Sequence, residues 1–467
     1  MSVENTHFGA REIERMLRSC RGLFFIGIGG ISMSALARLT AHEGFSVGGS
    51  DRTRSTATDA MEREGIKIFY GHDAAHLKGY DAVIYTVAIG EDNPEYRAAR
   101  ERGLPLISRA DYLGYLMTRF RTRIGIAGMH GKSTCTAMCA TILLHAGDPT
   151  VLCGADMPAL GDTPCRIGAS RETVVFEACE YMDSFLDFSP TLAVILNIGL
   201  DHVDYFHDLE QIRASFLKYA ELTGAEGAVL YNADDRETCT AMRAFGGRHV
   251  TFALDGDADF TAKAIERHRG MTSFDLVQNG KTLTRVTIPI MGRHNLYNAL
   301  AAAGAAILSG VSPKDVAIGL AAFQGAKRRM ERRGTLPTGA LVYDDYGHHP
   351  DEIRATLAGA KEMGFSRILC AYQPHTYSRT AGLLEEFSTA FDGADRVFFA
   401  DVYAAREQNL WGVTSETLAE RVGECAEYCG SFAAVAEAIE REARDGDLVI
   451  VMGAGDIFHV FDLLDLN

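Results

Sequence analysis

The feature that most constrains the fold is a repeated pairing of a short apolar run with a glycine-rich turn. Residues 23–28 lead into Gly29-Gly30, 123–127 into Gly128, and 448–452 into Gly453-Ala454-Gly455. An apolar run closed by glycine reads as a strand buried on both faces that feeds a loop and then a helix. Similar runs occupy 82–86, 174–177, 192–197, 341–344, 368–372 and 397–401. Helical patterns separate most of them, which predicts several doubly wound, mostly parallel sheets. The stretch 251–289 alternates apolar and polar residues and breaks at Gln278-Asn279-Gly280-Lys281, the pattern of an antiparallel patch inside the middle unit.

A chain of 467 residues exceeds one core, and at roughly 100–200 residues per domain about three are expected. The first unit should close near 115–121. The second should close near 327–333, where Lys327, Arg328, Arg329, Arg332 and Arg333 precede Gly334 and Pro337. With 46 Lys and Arg against 62 Asp and Glu, the formal charge is −16. That balance argues against nucleic-acid or anionic-membrane partners, which need a cationic field. Small anionic substrates remain open to it, held by local cations or helix N-termini. Residues 1–22 carry no apolar signal segment, and the longest apolar stretches fall well short of the ~20 residues of a membrane span. Ten cysteines without a close Cys-x-x-Cys pair are expected as buried thiols, in keeping with a cytoplasmic protein.

Two glycine-rich turns carry most of the chemistry. In Phe24-Phe25-Ile26-Gly27-Ile28-Gly29-Gly30-Ile31-Ser32, glycines would let backbone approach a diphosphate lying on a helix N-terminus. Asp51 follows about twenty residues later, where a ribose-binding acid is expected. Ser32 holds the place of the third glycine, so NAD, FAD, a sugar nucleotide or a plain tight turn all stay open. The second turn, Gly125-Ile126-Ala127-Gly128-Met129-His130-Gly131-Lys132-Ser133-Thr134, is the more specific. A Gly-Lys-Ser between strand and helix wraps phosphate in backbone N–H groups. Lys132 can neutralise the β- and γ-phosphates, and the Ser133 hydroxyl can ligate Mg²⁺. Ile126 stands at the usual first glycine of that loop.

Polar clusters close several of the later strands. Glu177 and Glu180 end one, and Asp201 and His202 follow another. Strand C-termini of a parallel sheet converge on the ligand crevice, so Glu177 and His202 could reach a metal at the phosphate loop. A solvated acid at Glu180 and a plain loop histidine at His202 are equally open. His294, Asn295 and Asn298 open an Ala-rich helix, where they could cap it or touch a nucleotide. Tyr343 to Pro350, with Asp344, Asp345, Tyr346, His348 and His349, and Gln373 to Arg379, with His375, end two further strands. Neither cluster has zinc-site spacing.

These motifs, in this order and over nearly the whole chain, closely resemble the Mur ligase family of peptidoglycan synthesis. The likeness rests on Gly27-Ile28-Gly29-Gly30 with Met33-Ser34, on Gly128 to Thr134, and on 177–186, Asp201-His202, His294-Asn295 and Asn298. It continues through Arg328-Arg329, the Asp344-Asp345-Tyr346-Gly347-His348-His349-Pro350 stretch and Gln373-Pro374-His375. It implies an α/β chain of three domains: a Rossmann-like domain over 1–118, a central phosphate-loop ATPase domain over 119–327, and a C-terminal Rossmann-like domain over 328–467. Within the family the match is best to ligases that join L-alanine to the lactyl carboxylate of UDP-N-acetylmuramate. In that chemistry ATP makes an acyl phosphate and the amine displaces phosphate, the first peptide-stem step.

The same resemblance implies the site residues. Gly27, Gly29, Gly30, Ser32, Met33 and Asp51 would hold the UDP substrate. Gly128, Met129, His130, Gly131, Lys132, Ser133 and Thr134 would hold ATP, with His294, Asn295, Asn298, Arg329 and Asp344 or Asp345. Ser133, Glu177 and His202 would surround Mg²⁺. Tyr346, His348 and His375 would face the alanine. Lys132, Glu177, His202 and His348 would carry the catalysis, in a monomer or homodimer. Phe216 stands where ligases adding later residues place a modified lysine. Thr376 stands where an arginine is common, and Arg379 could substitute for it. Three rivals remain: a recycling ligase that attaches a whole peptide, an oxidoreductase that would leave Gly-Lys-Ser unexplained, and a nucleotide-binding regulator without turnover.

Overall fold

Three separate sheets organise the chain in a computed structural model, which describes residues 3–201, 205–268, 271–405 and 407–467. The first sheet joins β1 (Gly22–Ile26), β2 (Ser46–Asp51), β3 (Lys67–Tyr70), β4 (Ala82–Tyr85) and β5 (Leu106–Ser108) in the order β3-β2-β1-β4-β5. All its pairings are parallel. Strand order reverses between β1 and β4, and the ligand crevice of such a sheet opens at that reversal.

The second sheet contains β6 (Thr122–Ala127), β7 (Thr150–Met157), β8 (Thr163–Arg166), β9 (Thr173–Glu177), β10 (Leu192–Ile195), β11 (Ala228–Asn232), β12 (His249–Ala253), β13 (Phe260–His268), β14 (Met271–Gln278) and β15 (Lys281–Ile288). Their order is β15-β14-β13-β12-β11-β10-β6-β9-β7-β8. The expected antiparallel patch is β13 to β15. Its Asn279-Gly280 turn puts both central residues at positive φ, 48° and 78°, the backbone twist that two-residue hairpins favour. β6 lies between β9 and β10, each parallel to it. The loop after β6 therefore meets the C-terminal ends of both neighbours. The Ala-rich helix Arg293–Leu308 is buried along most of its length, because its small side chains let it lie close to the helix Lys132–Ala146.

The third sheet orders β16 (Glu331–Thr335), β17 (Leu341–Asp345), β18 (Arg367–Tyr372), β19 (Arg396–Ala400), β20 (Ala426–Gly430) and β21 (Asp447–Met452) as β16-β17-β21-β18-β19-β20. Only the β16–β17 pairing is antiparallel. Part of the basic stretch expected at a boundary is thus an edge strand, and its charged side chains blunt an otherwise open edge.

One apolar cluster runs from the first sheet into the second, from Phe25, Leu36 and Tyr112 to Phe176, Phe185 and Phe216. Full burial of each such side chain contributes about 1.5–3 kcal/mol, and the cluster joins the first sheet and the second in one core. At the rim, Arg119 and Arg171 both pair with Glu43. All ten cysteines are free thiols. Among the described residues no helix is long and apolar enough to cross a membrane.

Candidate active site

β6 ends at Ala127, and residues 128–131 turn into the helix Lys132–Ala146. Gly131 sits at φ 86°, and a Cβ there would lie 2.5 Å from Asn298 Oδ1. Asn197, just past β10, fixes the loop. Its Oδ1 accepts the His130 N–H at 2.9 Å, its Nδ2 donates to the His130 carbonyl at 3.0 Å, and its own carbonyl accepts the Met129 N–H at 3.2 Å. Lys132 Nζ donates to the Gly128 and Met129 carbonyls and lies 3.1 and 3.0 Å from the two Glu180 oxygens. Burial alone would lower the Lys132 pKa. The Glu180 carboxylate, with Cys179 and Glu177 nearby, outweighs it and holds the ammonium above its usual value.

Ser133 is buried in the first turn of this helix, and its Oγ lies 3.5 Å from Arg329 Nη2. Cys153 Sγ bridges toward the Ser133 carbonyl at 3.7 Å and Glu177 Oε1 at 3.4 Å, and Glu177 Oε1 also accepts the Gly154 N–H. Ser133 and Glu177 are thus linked through Cys153, and a hydroxyl and a carboxylate are the oxygen donor types that suit Mg²⁺. His202, expected as a third ligand, lies outside the described residues.

A cavity of about 270 Å³ opens between the second and third sheets. His130, Gly131 and Thr134 form its floor, Asn197, His294, Asn295 and Asn298 one wall, and Arg329, Asp345, Glu352 and Thr356 the opposite side. Asn295 Nδ2 is anchored on the Met291 carbonyl at 2.8 Å. Burial drives the His294 pKa down to about 4, so this ring is neutral near pH 7.

Adjacent strand residues point to opposite faces, and β17 ends on two aspartates that divide accordingly. Asp345 accepts the Met330 and Gly347 N–H groups at 2.9 Å each and lines the cavity. Asp344 turns away and meets Arg328 Nε at 3.3 Å. Burial raises the Asp344 pKa to about 6. The Tyr346 ring receives the guanidinium groups of Arg328 and Arg329 at 5.1 Å each. The His348 ring centroid lies 5.5 Å from that of Tyr346 and 5.8 Å from that of His375. Burial lowers the His348 pKa to about 3 and that of His375 to about 4, leaving two neutral imidazoles side by side. Arg379 Nη1 lies 3.1 Å from His375 Nδ1, and its Nη2 reaches Asp201 of the middle unit at 3.1 Å.

A second cavity, of about 560 Å³, lies at the strand-order reversal of the first sheet and is lined by Gly27, Gly30, Met33, Asp51 and His72, among others. Asp51 Oδ2 accepts the Gly29 N–H at 2.9 Å, and a Cβ on Gly29 would come within 2.8 Å of that oxygen. Behind it, the fully buried Glu95 accepts from Ser50 Oγ at 2.6 Å and lies 2.8 Å from both His72 Nδ1 and His76 Nδ1.

Comparison with known proteins bears directly on these cavities. Residues 23–121 match the Mur ligase family catalytic domain, 126–306 the Mur ligase middle domain, and 328–455 the Mur ligase glutamate ligase domain. The chain is 42% identical to a UDP-N-acetylmuramate–L-alanine ligase of Caldicellulosiruptor bescii over 446 residues, 94% of this chain and 97% of that one. The chain belongs to the Mur ligase family. Among solved structures it resembles the UDP-N-acetylmuramate–alanine ligase of Thermotoga maritima, with a TM-score of 0.79 at 30% identity, over 94% of this chain and 97% of that one. It also resembles a murein peptide ligase of Psychrobacter arcticus, with a TM-score of 0.71 at 25% identity, over 95% and 97% of the two chains.

Set in this Mur ligase fold, the expected ATP residues His130, Gly131, Thr134, His294, Asn295, Asn298, Arg329 and Asp345 meet around one cavity. Gly128, Met129 and Ser133 belong to the loop and helix start beneath it. Two expectations need correction. Asp344 faces Arg328, because strand alternation sends it to the far side of β17. Ser32 is exposed on the first turn of the helix Ile31–His42, outside the lining of the 560 Å³ cavity of the first sheet. Glu180 is no solvated acid: its side chain is 1% exposed and holds Lys132. Asn197 and Glu352 carry structure at the site without having been singled out. The sequence signal for Asn197 was its place at the end of an apolar run, beside the phosphate loop in the sheet. Phe216 is fully buried against Phe185, ring centroids 5.2 Å apart, so the position reserved for a metal-bridging lysine elsewhere in the family holds apolar core.

Proposed function

We propose that this Mur ligase joins L-alanine to the lactyl carboxylate of UDP-N-acetylmuramate at the expense of ATP, in the cytoplasm where both nucleotides are made. The observation that carries the reading is the meeting of phosphate loop, Asn295, Asn298, Arg329 and Asp345 at one cavity between two units, beside the paired His348 and His375 rings. Relatives that share about 40% of residues over 94% of the chain are named for that reaction. A carboxylate is a poor electrophile, and phosphorylation gives it a leaving group. The units 1–118, 119–327 and 328–467 would then hold the UDP substrate, ATP and the amino acid.

In this reading the 560 Å³ cavity of the first sheet takes the UDP moiety, with Asp51 and the glycine turn at its base. Lys132 exchanges its Glu180 contact for the β- and γ-phosphates as ATP enters and screens their repulsion with the incoming carboxylate. Ser133 and Glu177 would hold Mg²⁺, which supplies further charge neutralisation at the transferring phosphoryl group. Tyr346, His348, His375 and Arg379 form the amino-acid side. Arg379 is the cation available to the alanine carboxylate, because Thr376 cannot be. Neutral His348 and His375 can accept hydrogen bonds from the alanine amine without repelling it. Docking of the third unit excludes water from the acyl phosphate.

The test is product identification by mass spectrometry after incubation with ATP, Mg²⁺, UDP-N-acetylmuramate and mixed amino acids. Phosphate release that requires L-alanine, with the alanyl product as the main species, is expected. A product formed only with a tri- or tetrapeptide acceptor amine would make the chain a recycling ligase. An absence of ATP splitting with both acceptors present would end the ligase reading.

A further inference from the structure

Glu352 lies on the first turn of the helix Pro350–Lys361 and does two things at once. Its Oε2 accepts the N–H groups of His348 at 3.0 Å and His349 at 3.3 Å. The His349 ring reciprocates by accepting the Asp351 N–H at 3.2 Å, which completes a capping box. Capping glutamates usually sit at the surface, yet this side chain is only 12% exposed. Its other oxygen turns toward the middle unit. Oε1 lies 3.3 Å from His130 Nδ1 in the phosphate loop and 3.9 Å from Arg329 Nη1. His130 Nδ1 is buried and makes no aligned hydrogen bond, so the Glu352 oxygen at 3.3 Å is a close charged neighbour. His348 Nδ1 lies 3.3 Å from Oε2. Arg329 extends its other arm to Ser133 Oγ at 3.5 Å. One carboxylate therefore touches the phosphate loop, the segment joining the units and the histidine loop of the amino-acid side.

Burial alone would push this acid toward its neutral form. The neighbouring His130 and Arg329 reverse that and hold its pKa well below the usual carboxylate range. The next residues along the chain bind across the same boundary, with His349 Nε2 3.2 Å from the Leu200 carbonyl. Separation of the two units would strip His130 from a carboxylate that has little access to water, a costly change for a buried charge.

Resting on the ligase reading above, we propose that Glu352 is a positioning residue that couples docking of the third unit to the phosphate loop. It acts through His130, Arg329 and His348 and does not touch the reacting atoms. Its negative charge completes its set of partners only when the units meet, so the amino-acid pocket forms where the phosphate loop is in place. It also sets Arg329 against Ser133 and His348 against His375.

Glu352→Gln keeps an oxygen for the capping N–H groups and removes the charge. We expect kcat to fall about 10- to 100-fold, the range for loss of a charge-assisted contact, and KM for L-alanine to rise. KM for UDP-N-acetylmuramate, bound in another unit, should stay the same. His130→Gln should reproduce the loss, and the double variant should be no worse than the poorer single one, because both remove the same contact. Glu352→Asp keeps charge and cap with a shorter reach and should lose less kcat than the Gln variant. It is also the second route if that variant does not fold. Additive losses in the cycle, equal losses in Asp and Gln, or wild-type kinetics in a folded Glu352→Gln protein would each overturn the proposal. Those outcomes require an active wild type. A wild type that never releases phosphate with both acceptors would instead refute the ligase reading itself.

Discussion

Replacing Lys132 by methionine separates what the Lys132–Glu180 pair does for folding from what Lys132 does for catalysis. The two charges lie 3.0 Å apart, with side chains 16% and 1% exposed. At an effective dielectric of about 20, opposite charges at that distance attract by roughly 5–6 kcal/mol, and desolvation of both groups takes back much of it. Removing Lys132 alone breaks its pair with the buried Glu180 from one side, a change that costs about 3–5 kcal/mol. Replacing both partners in K132M/E180Q removes both charges, so stability should return to within about 1–2 kcal/mol of wild type. Urea denaturation followed by circular dichroism reads this. The single tryptophan, Trp411, lies in the third unit and would not report on the phosphate loop. Catalysis should not follow stability. Both variants should lose phosphate release by at least about 10²-fold, the scale for removing one group that stabilises transition-state charge. Recovery of turnover in K132M/E180Q would refute the reasoning, since Lys132 would then be structural only. Wild-type stability in K132M would refute the ion-pair account.

Asp51→Ala should raise KM for UDP-N-acetylmuramate more than KM for ATP in steady-state kinetics; the opposite order would move the UDP site away from the cavity of the first sheet. Gly131→Ala should abolish ATP binding measured by calorimetry, because at φ 86° the added methyl group meets Asn298 at 2.5 Å. Asp201→Asn should raise KM for L-alanine several-fold, a shift consistent with loss of one charge-assisted contact, because Arg379 then loses its 3.1 Å carboxylate partner across the units; an unchanged KM would detach Arg379 from the amino-acid pocket. Folded pKa values near 4 for His294 and His375 lie below the unfolded value of about 6.5. The unfolded chain then binds more protons between those limits, so stability should fall as pH drops from about 6.5 toward 4. His294→Gln should flatten that slope in denaturation measured at several pH values, and an unchanged slope would contradict the buried neutral ring.

What the sequence made legible is what backbone geometry alone demands. Strands such as β6 and β21 are buried along most of their length, so beyond Arg123 in the one and Asp447 in the other their buried residues are apolar or small. Edge strands such as β3 and β16 bury little; β16, with Glu331, Arg332, Arg333 and Gly334, has nothing in its composition to separate it from a loop, and β3 is only four residues long. The glycine turns were readable for the same reason, since φ 86° at Gly131 permits little else. Asp344 and Asp345 were not separable, because the phase of a strand is set by its neighbours in the sheet and not by the two identical side chains. Glu180 and Glu352 show where local reading ends. After Glu180, Met182 and Asp183 turn at φ 53° and 55°, and the carboxylate comes to face Lys132, which lies 48 positions earlier. Glu352 has a complete local explanation as a capping residue. That explanation hid its second role, because a capping box needs only the four residues around it and says nothing about what waits across the interface. The residues most exposed to this blindness are buried charges whose partners belong to another unit. A site that forms only when units dock is built from such residues.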